Sequence, residues 1–302
     1  MTADPRISVV VLTHERPDEL ARMLRRLMAL PEQPQVIVVD NASQPGSVER
    51  VLRDHPQVEA VRCEQNRGAA GRNAGVALVR TPYVAFCDDD TWWAPGALRR
   101  AADLLDAHHG VAALSARVLV GEDEREDPAC DAMVHSPLDS SGLPGPALIG
   151  FMAGAVVMRT AAFHAVGGYE PRFFLGAEEW LMALDFLARG WHIVYAHDVV
   201  THHHPSPTAR DPMRRHIVAS RNRLWIVWMR LPVAIAGRFS LRMFRDIART
   251  GMLQPVLREA LAGLPWVLRE RVVVPPRVSA MVGRVLGMRT RARKHGHGNE
   301  PC

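Results

Sequence analysis

Three consecutive aspartates, Asp88, Asp89 and Asp90, follow the apolar run Tyr83-Val84-Ala85-Phe86-Cys87. Adjacent carboxylates repel one another, so such a cluster at a strand end needs a compensating cation or good solvation. Carboxylate oxygens suit Mg2+ or Mn2+, which reach a protein through one or two carboxylates plus substrate phosphates. One reading is a site for a metal-bound diphosphate. The other is a solvated turn with an aspartate cap for the helix expected near Pro95.

The elements that must carry the triplet alternate between strand and helix. Ile7 to Leu12 is a continuous β-branched run, the pattern of a strand buried on both faces. Arg16 to Leu30 has helical periodicity, with Pro17 in its first turn. Strands are expected at Val36–Val39, Val58–Cys63 and Tyr83–Cys87, with helices at Gly46–Arg53 and Ala69–Val79 between them. This βαβ order predicts a mainly parallel sheet with ligands at the carboxyl ends of its strands. Thr13-His14-Glu15, Asp40-Asn41 and the aspartate triplet all stand at such ends, which favours a site there. Further on, Gly121 to Pro146 has the composition of a mobile loop. Phe151–Arg159 and Ile193–Tyr195 read as strands, Glu178–Arg189 and Pro212–Arg230 as helices.

A chain of 302 residues with 48% hydrophobic and 23% charged residues is ordinary globular protein. Cys63, Cys87, Cys130 and Cys302 are widely spaced, which disfavours a disulfide scaffold or zinc ribbon and favours a reducing, cytoplasmic compartment. No signal peptide or membrane span is expected. Arg214 to Cys302 holds 18 Lys+Arg against 4 Asp+Glu, whereas the rest of the chain is acidic. A basic end of this kind suits an anionic partner or a solvated helical surface.

The motifs together resemble family-2 glycosyltransferases. The resemblance rests on Ile7 to Thr13, on Val38-Val39-Asp40-Asn41-Ala42-Ser43, on Asn66-Arg67-Gly68 with Gly71-Arg72-Asn73-Ala74-Gly75, on the triplet at the place of that family's Asp-x-Asp, and on Gly176-Ala177-Glu178-Glu179-Trp180. It covers about residues 7 to 230. It implies a GT-A fold of the nucleotide-diphospho-sugar transferases over residues 1–230; beyond it, the alternation of arginines and apolar residues reads as an amphipathic, basic helical extension over 231–302 whose last ten or so residues are disordered. The resemblance also implies inverting transfer of a hexose or deoxyhexose from an NDP-sugar, in cell-surface polysaccharide or glycolipid synthesis.

Within that resemblance Asp40 would accept a base N–H, and Thr13 and Glu15 would hold ribose or base. Asn66, Gly68 and Arg72 would approach the phosphates. Alternation along an extended segment directs Asp88 and Asp90 to one side, with Asp90 assigned to the metal, Asp88 to ribose or metal, and Asp89 in support. Glu179, with Glu178 as the alternative, would be the base that deprotonates the acceptor hydroxyl. Trp92, Trp93 and Trp180 would form an apolar platform for the acceptor sugar. Of His202-His203-His204, His204 or His202 would complete the metal site. Arg221 and Arg223 would reach the diphosphate or lie in solvent.

A sugar- or lipid-linked acceptor fits a basic extension docked peripherally at the anionic inner face of a membrane, with no nucleic-acid partner. The competing readings are a non-catalytic nucleotide-sugar binder or partner subunit, and a haloacid-dehalogenase-like phosphatase. In the phosphatase the aspartate follows the first strand and a Thr or Val stands where Trp92 is. A dehydrogenase is disfavoured because no GxGxxG follows the first strand.

Overall fold

The computed structural model describes residues 4–206 and 211–287; the expectation of a disordered last ten residues falls outside them. The first strands are β1 (Ile7–Thr13), β2 (Gln35–Asp40), β3 (Glu59–Arg62) and β4 (Tyr83–Asp88). They pair in the order β3-β2-β1-β4, all parallel. Val9, Val10 and Val11 have no exposed surface, because helices cover both faces. The helices here are α1 (Pro17–Met28), α2 (Glu49–Arg53) and α3 (Arg72–Val76). Helix α1 buries Leu20, Met23, Leu24 and Leu27, the i, i+3, i+4, i+7 stripe of an amphipathic helix.

The helix expected over Ala69–Val79 is shorter, a 3-10 turn at Gly68–Gly71 running into α3. A Cβ on Gly75 would stand 2.6 Å from Val10 and 2.7 Å from Val39, so this glycine lets α3 lie against the sheet.

Then come β5 (Thr91–Trp93), α4 (Ala97–Ala107), β6 (Val111–Val120), β7 (Arg125–Glu126), α5 (Pro128–Val134), β8 (Val156–Arg159), α6 (Thr160–Ala165), α7 (Glu178–Ala188) and β9 (His192–His203). Strand β8 pairs antiparallel with β4 and β6, and β9 runs parallel to β6 and antiparallel to β5. The parallel half is thus extended into a mixed nine-stranded sheet.

Gly121 to Pro146 is not a bare loop. It contains β7 and α5, capped by Asp127 and anchored by the buried Cys130.

Helices α8 (Pro212–Arg230), α9 (Val233–Ala248), α10 (Leu253–Arg269) and α11 (Pro276–Val285) end the described chain. Val267, Val274, Val278 and Val282 of this part join the main core. Among the described residues no helix is long and apolar enough to cross a membrane.

Candidate active site

The carboxyl ends of β1 and β4 open into a cleft of about 690 Å3. Thr13, Glu15, Asn66, Gly68, Arg72, Asp88, Asp89, Glu178 and Glu179 all line it. Residues up to 166 positions apart in the chain therefore share one cavity.

The triplet is not extended. Asp88 ends β4, Asp89 and Asp90 form a turn, and β5 begins at Thr91. Asp88 and Asp90 consequently have different surroundings, contrary to the expectation from alternation. Asp88 is the exposed member, its side chain 40% accessible, and it pairs with the buried Arg72. Asp89 and Asp90 are buried, and Arg16 bridges them at 3.1 and 3.2 Å. Thr13 donates to Asp89 at 3.0 Å. Burial raises the Asp89 carboxyl to about 6, with Arg16 and Thr13 opposing the rise. With Arg72 compensating Asp88, Arg16 is the cation that the buried pair required. It stands three residues after Thr13, and the sequence reading passed over it.

Asp40 is buried outside the cleft lining. Its two oxygens accept from the Ser43 backbone at 2.9 Å and from Arg62 at 2.8 Å. Glu15, at φ +57°, accepts from the Gln44 backbone at 2.5 Å. Asn41 ties this strand end to the next element. It donates to Asn66 and to the Gly68 carbonyl, both at 3.0 Å, and accepts from the Arg67 amide at 2.9 Å. Gly68 sits at φ +58°, and a Cβ there would lie 1.9 Å from the Phe174 carbonyl oxygen. The Ala69 amide donates to that same oxygen at 2.6 Å. The glycine thus joins this side of the cleft to the loop that leads into α7.

That loop is strained. Phe174 and Ala177 have φ of +62° and +68°, which L side chains seldom adopt. Ala177 is the N-cap residue of α7, so Glu178 and Glu179 occupy its first turn, where the helix dipole favours carboxylates. Glu178 is 5% exposed, and its Oε2 has no hydrogen-bond partner. Burial and the neighbouring Glu179 both push the Glu178 carboxyl upward, and Glu179, only partly buried, is raised chiefly by desolvation. Arg72 lies within electrostatic reach of Asp88 and of both glutamates, and those charges together with Tyr169 hold it protonated against its burial.

The histidines correct an assignment. Strand β9 pairs Trp92 with His202 and Thr91 with His203. Directly opposed residues share a face, so His202 stacks on Trp92, ring centroids 5.6 Å apart, and His204 lies 4.7 Å from it. Both line a second cavity of about 540 Å3, away from the triplet's carboxylates. His203 instead lines the active-site cleft, its Nε2 3.7 Å from an Asp90 oxygen.

The three tryptophans also fail to form one platform. Trp93 is fully buried, Trp92 belongs to the second cavity, and Trp180 packs on Phe239 with centroids 5.9 Å apart. Arg221 does not reach the cleft either. It lies over Trp225, 4.3 Å from the ring centroid, and donates to the Phe173 carbonyl at 3.1 Å.

Among the described residues no group of three or more His, Cys, Asp or Glu is placed to hold a metal by itself. The donor set still fits a divalent cation shared with a diphosphate. Asp88 lines the cleft with its side chain partly accessible, and His203 stands beside the Asp90 carboxylate.

The parallel β3-β2-β1-β4 sheet, with acidic residues at its carboxyl edge and a carboxylate pair lining the same cleft, agrees with the GT-A nucleotide-sugar transferase fold of its solved structural neighbours. The profile of the family "Glycosyl transferase family 2" matches residues 8–166, and the chain belongs to that family. The N-acetylglucosaminyl-diphospho-decaprenol L-rhamnosyltransferase of Mycobacterium tuberculosis is 24% identical over 288 residues, covering 78% of this chain and 91% of that protein. Residues 1–349 of S. aureus TarS, in complex with UDP-GlcNAc, superpose with a TM-score of 0.62 at 18% identity, over 91% of this chain and 83% of that one. The mannosyltransferase PcManGT of Pyrobaculum calidifontis, in complex with GDP-Man and Mn2+, gives 0.55 at 19% identity, over 95% and 76%. The chain is a glycosyltransferase.

Proposed function

We propose that this enzyme transfers a hexose or deoxyhexose, with inversion, from an NDP-sugar to a hydroxyl of a lipid-linked saccharide, with Glu179 as the base. The carrying observation is the single cleft that holds Asp88 and Asp89 on one wall and Glu178 and Glu179 on another, with Arg72 buried between them. Burial and the neighbouring Glu179 raise the Glu178 carboxyl, and Glu178 is the less exposed of the pair. Glu179, the more exposed carboxylate in the cleft, is the one placed to take the acceptor proton.

The deprotonated hydroxyl attacks the anomeric carbon as the bond to the diphosphate oxygen breaks, and the nucleotide leaves with the bonding electrons. Thr13 and Glu15 hold the nucleoside, with Asp40 at the base once Arg62, whose side chain is 44% exposed, has yielded. Asn66, Gly68 and Arg72 face the diphosphate. A Mg2+ or Mn2+ ion would be held by the donor's own diphosphate together with Asp88 and Asp90, with His203 beside them, and when bound would neutralise charge on the departing diphosphate. The acceptor class is carried over from the mycobacterial relative, whose name specifies a decaprenol-linked substrate.

The extension supports docking at a membrane. Arg238, Arg242 and Arg245 along α9 and Arg249 at its C-terminal cap are exposed with Leu241 and Val233, the mixture that suits an anionic interface. A panel of UDP-, GDP- and dTDP-sugars with Mn2+, read by release of free nucleotide diphosphate, tests the donor half. At least one donor should be turned over by the wild type and none by Asp90→Ala. Turnover unchanged by that substitution rejects the metal assignment.

A further inference from the structure

Helix α8 carries a buried amide that no part of the proposed mechanism uses. Asn222 has no exposed surface. Its Nδ2 lies 2.9 Å from the Phe173 carbonyl oxygen, 3.2 Å from that of Leu175 and 2.6 Å from that of Gly176. These carbonyls belong to the strained loop that ends at Ala177 and delivers Glu178 and Glu179. The amide cannot be turned round. Its Oδ1 accepts from Arg221 Nε at 3.0 Å and from Arg221 Nη2 at 2.9 Å, so a flip would set donors against donors and oxygen against three oxygens.

Arg221 is fixed in turn from the C-terminal helices. Glu259 of α10 accepts from it at 3.3 Å, and its guanidinium also holds the Phe173 carbonyl. Trp225, on which Arg221 lies, donates to the Ala260 carbonyl at 2.9 Å. A continuous polar chain thus runs from α10 through Arg221 and Asn222 to the backbone just before the two glutamates. A loop with Phe174 and Ala177 in the left-handed region does not hold that shape unaided. It is over-determined by Asn222 on one side and by Ala69 on the other.

We propose that Asn222 is a positioning residue for the catalytic carboxylates, and that Glu259 and Arg221 make its hold depend on the C-terminal extension. This rests on the reading of Glu178 and Glu179 as the catalytic pair. The extension is then part of the machinery that places the base, in addition to any docking role. A base displaced by about 1 Å costs on the order of 100-fold in rate. The effect should therefore fall on kcat, with little change in the affinity for donor.

The test compares wild type, Asn222→Asp, Glu259→Gln and Glu179→Gln. The substrate is whichever UDP-, GDP- or dTDP-sugar the wild type turns over fastest with Mn2+. Asn222→Asp keeps the shape but sets oxygen against the three carbonyls. It should lower kcat by about 100-fold with KM for donor within about 3-fold, a margin smaller than one good hydrogen bond supplies. Glu259→Gln, at a partly exposed and more forgiving position, should lower kcat in the same direction by a smaller factor. Backbone amide exchange over residues 173–180 should quicken in both, and this readout needs no turnover.

Full kcat in a folded Asn222→Asp protein, or unchanged exchange over that loop, overturns the proposal. If Asn222→Asp quickens exchange while Glu179→Gln leaves kcat intact, the loop is held as described but the assignment of the base fails. If Asn222→Asp does not fold, Glu259→Gln decides: wild-type kcat and wild-type exchange in that variant reject the link to the extension.

Discussion

Replacing Glu178 by glutamine should make the protein more stable at neutral pH. The carboxyl is 5% exposed, has one oxygen without a partner and lies beside Glu179, so its ionised form is disfavoured in the fold. Its folded value is raised to about 8 from an ordinary 4.5. Between these values the folded chain binds more protons than the unfolded chain, so unfolding free energy falls as pH rises through that window. Each pH unit contributes about 1.4 kcal/mol, giving a ceiling on the order of 3 kcal/mol by pH 7. Glutamine fills the same volume and carries no titratable proton. Urea unfolding of wild type and Glu178→Gln from pH 5 to 8 measures this directly. The wild type should lose stability over that range, and the variant should lose markedly less. Parallel profiles would refute the claim that burial raises the Glu178 carboxyl.

Other consequences concern the rest of the cleft. Gly68→Ala forces a Cβ to within 1.9 Å of the Phe174 carbonyl at φ +58°; the left-handed backbone alone costs about 1–2 kcal/mol, so urea denaturation should show a loss of at least that size and donor turnover should fall. His203→Ala should weaken the Mn2+ dependence of turnover, whereas His202→Ala and His204→Ala should not, measured as the Mn2+ concentration for half-maximal rate. Changing Arg242, Arg245 and Arg249 together to glutamate should reduce binding to phosphatidylglycerol vesicles, at about 1 kcal/mol per arginine removed; binding that is unaffected and independent of salt would reject docking through α9.

The parallel half of the fold was legible because its signals are local. Ile7–Thr13 and Gln35–Asp40 are buried on both faces and are written in β-branched residues, and α1 shows its apolar stripe. The convergence of Thr13, Asp88 and Asp89 followed from strand ends alone. What stayed hidden depended on phase or on distant contacts. The register of β9 slips against β6 between Ala116 and Arg117, which partner Ala196 and Val200. Alternation counted from Ile193 therefore cannot say which histidine faces the cleft. The turn at Asp89-Asp90 breaks the extended geometry assumed for Asp88 and Asp90. Trp93 has the chemistry of a sugar platform but is consumed by the core. Asn222 carries no local signal for its role, because the three carbonyls it holds lie 46 to 49 residues earlier.

The central claim is that Glu179 is the base of a sugar transfer from an NDP-sugar bound in this cleft. The most direct measurement is single-turnover transfer from the preferred donor by wild type and Glu179→Gln, with donor affinity measured by calorimetry on both. The account predicts a fall in rate of at least about 100-fold with donor affinity retained. A Glu179→Gln enzyme that transfers sugar at the wild-type rate would contradict it.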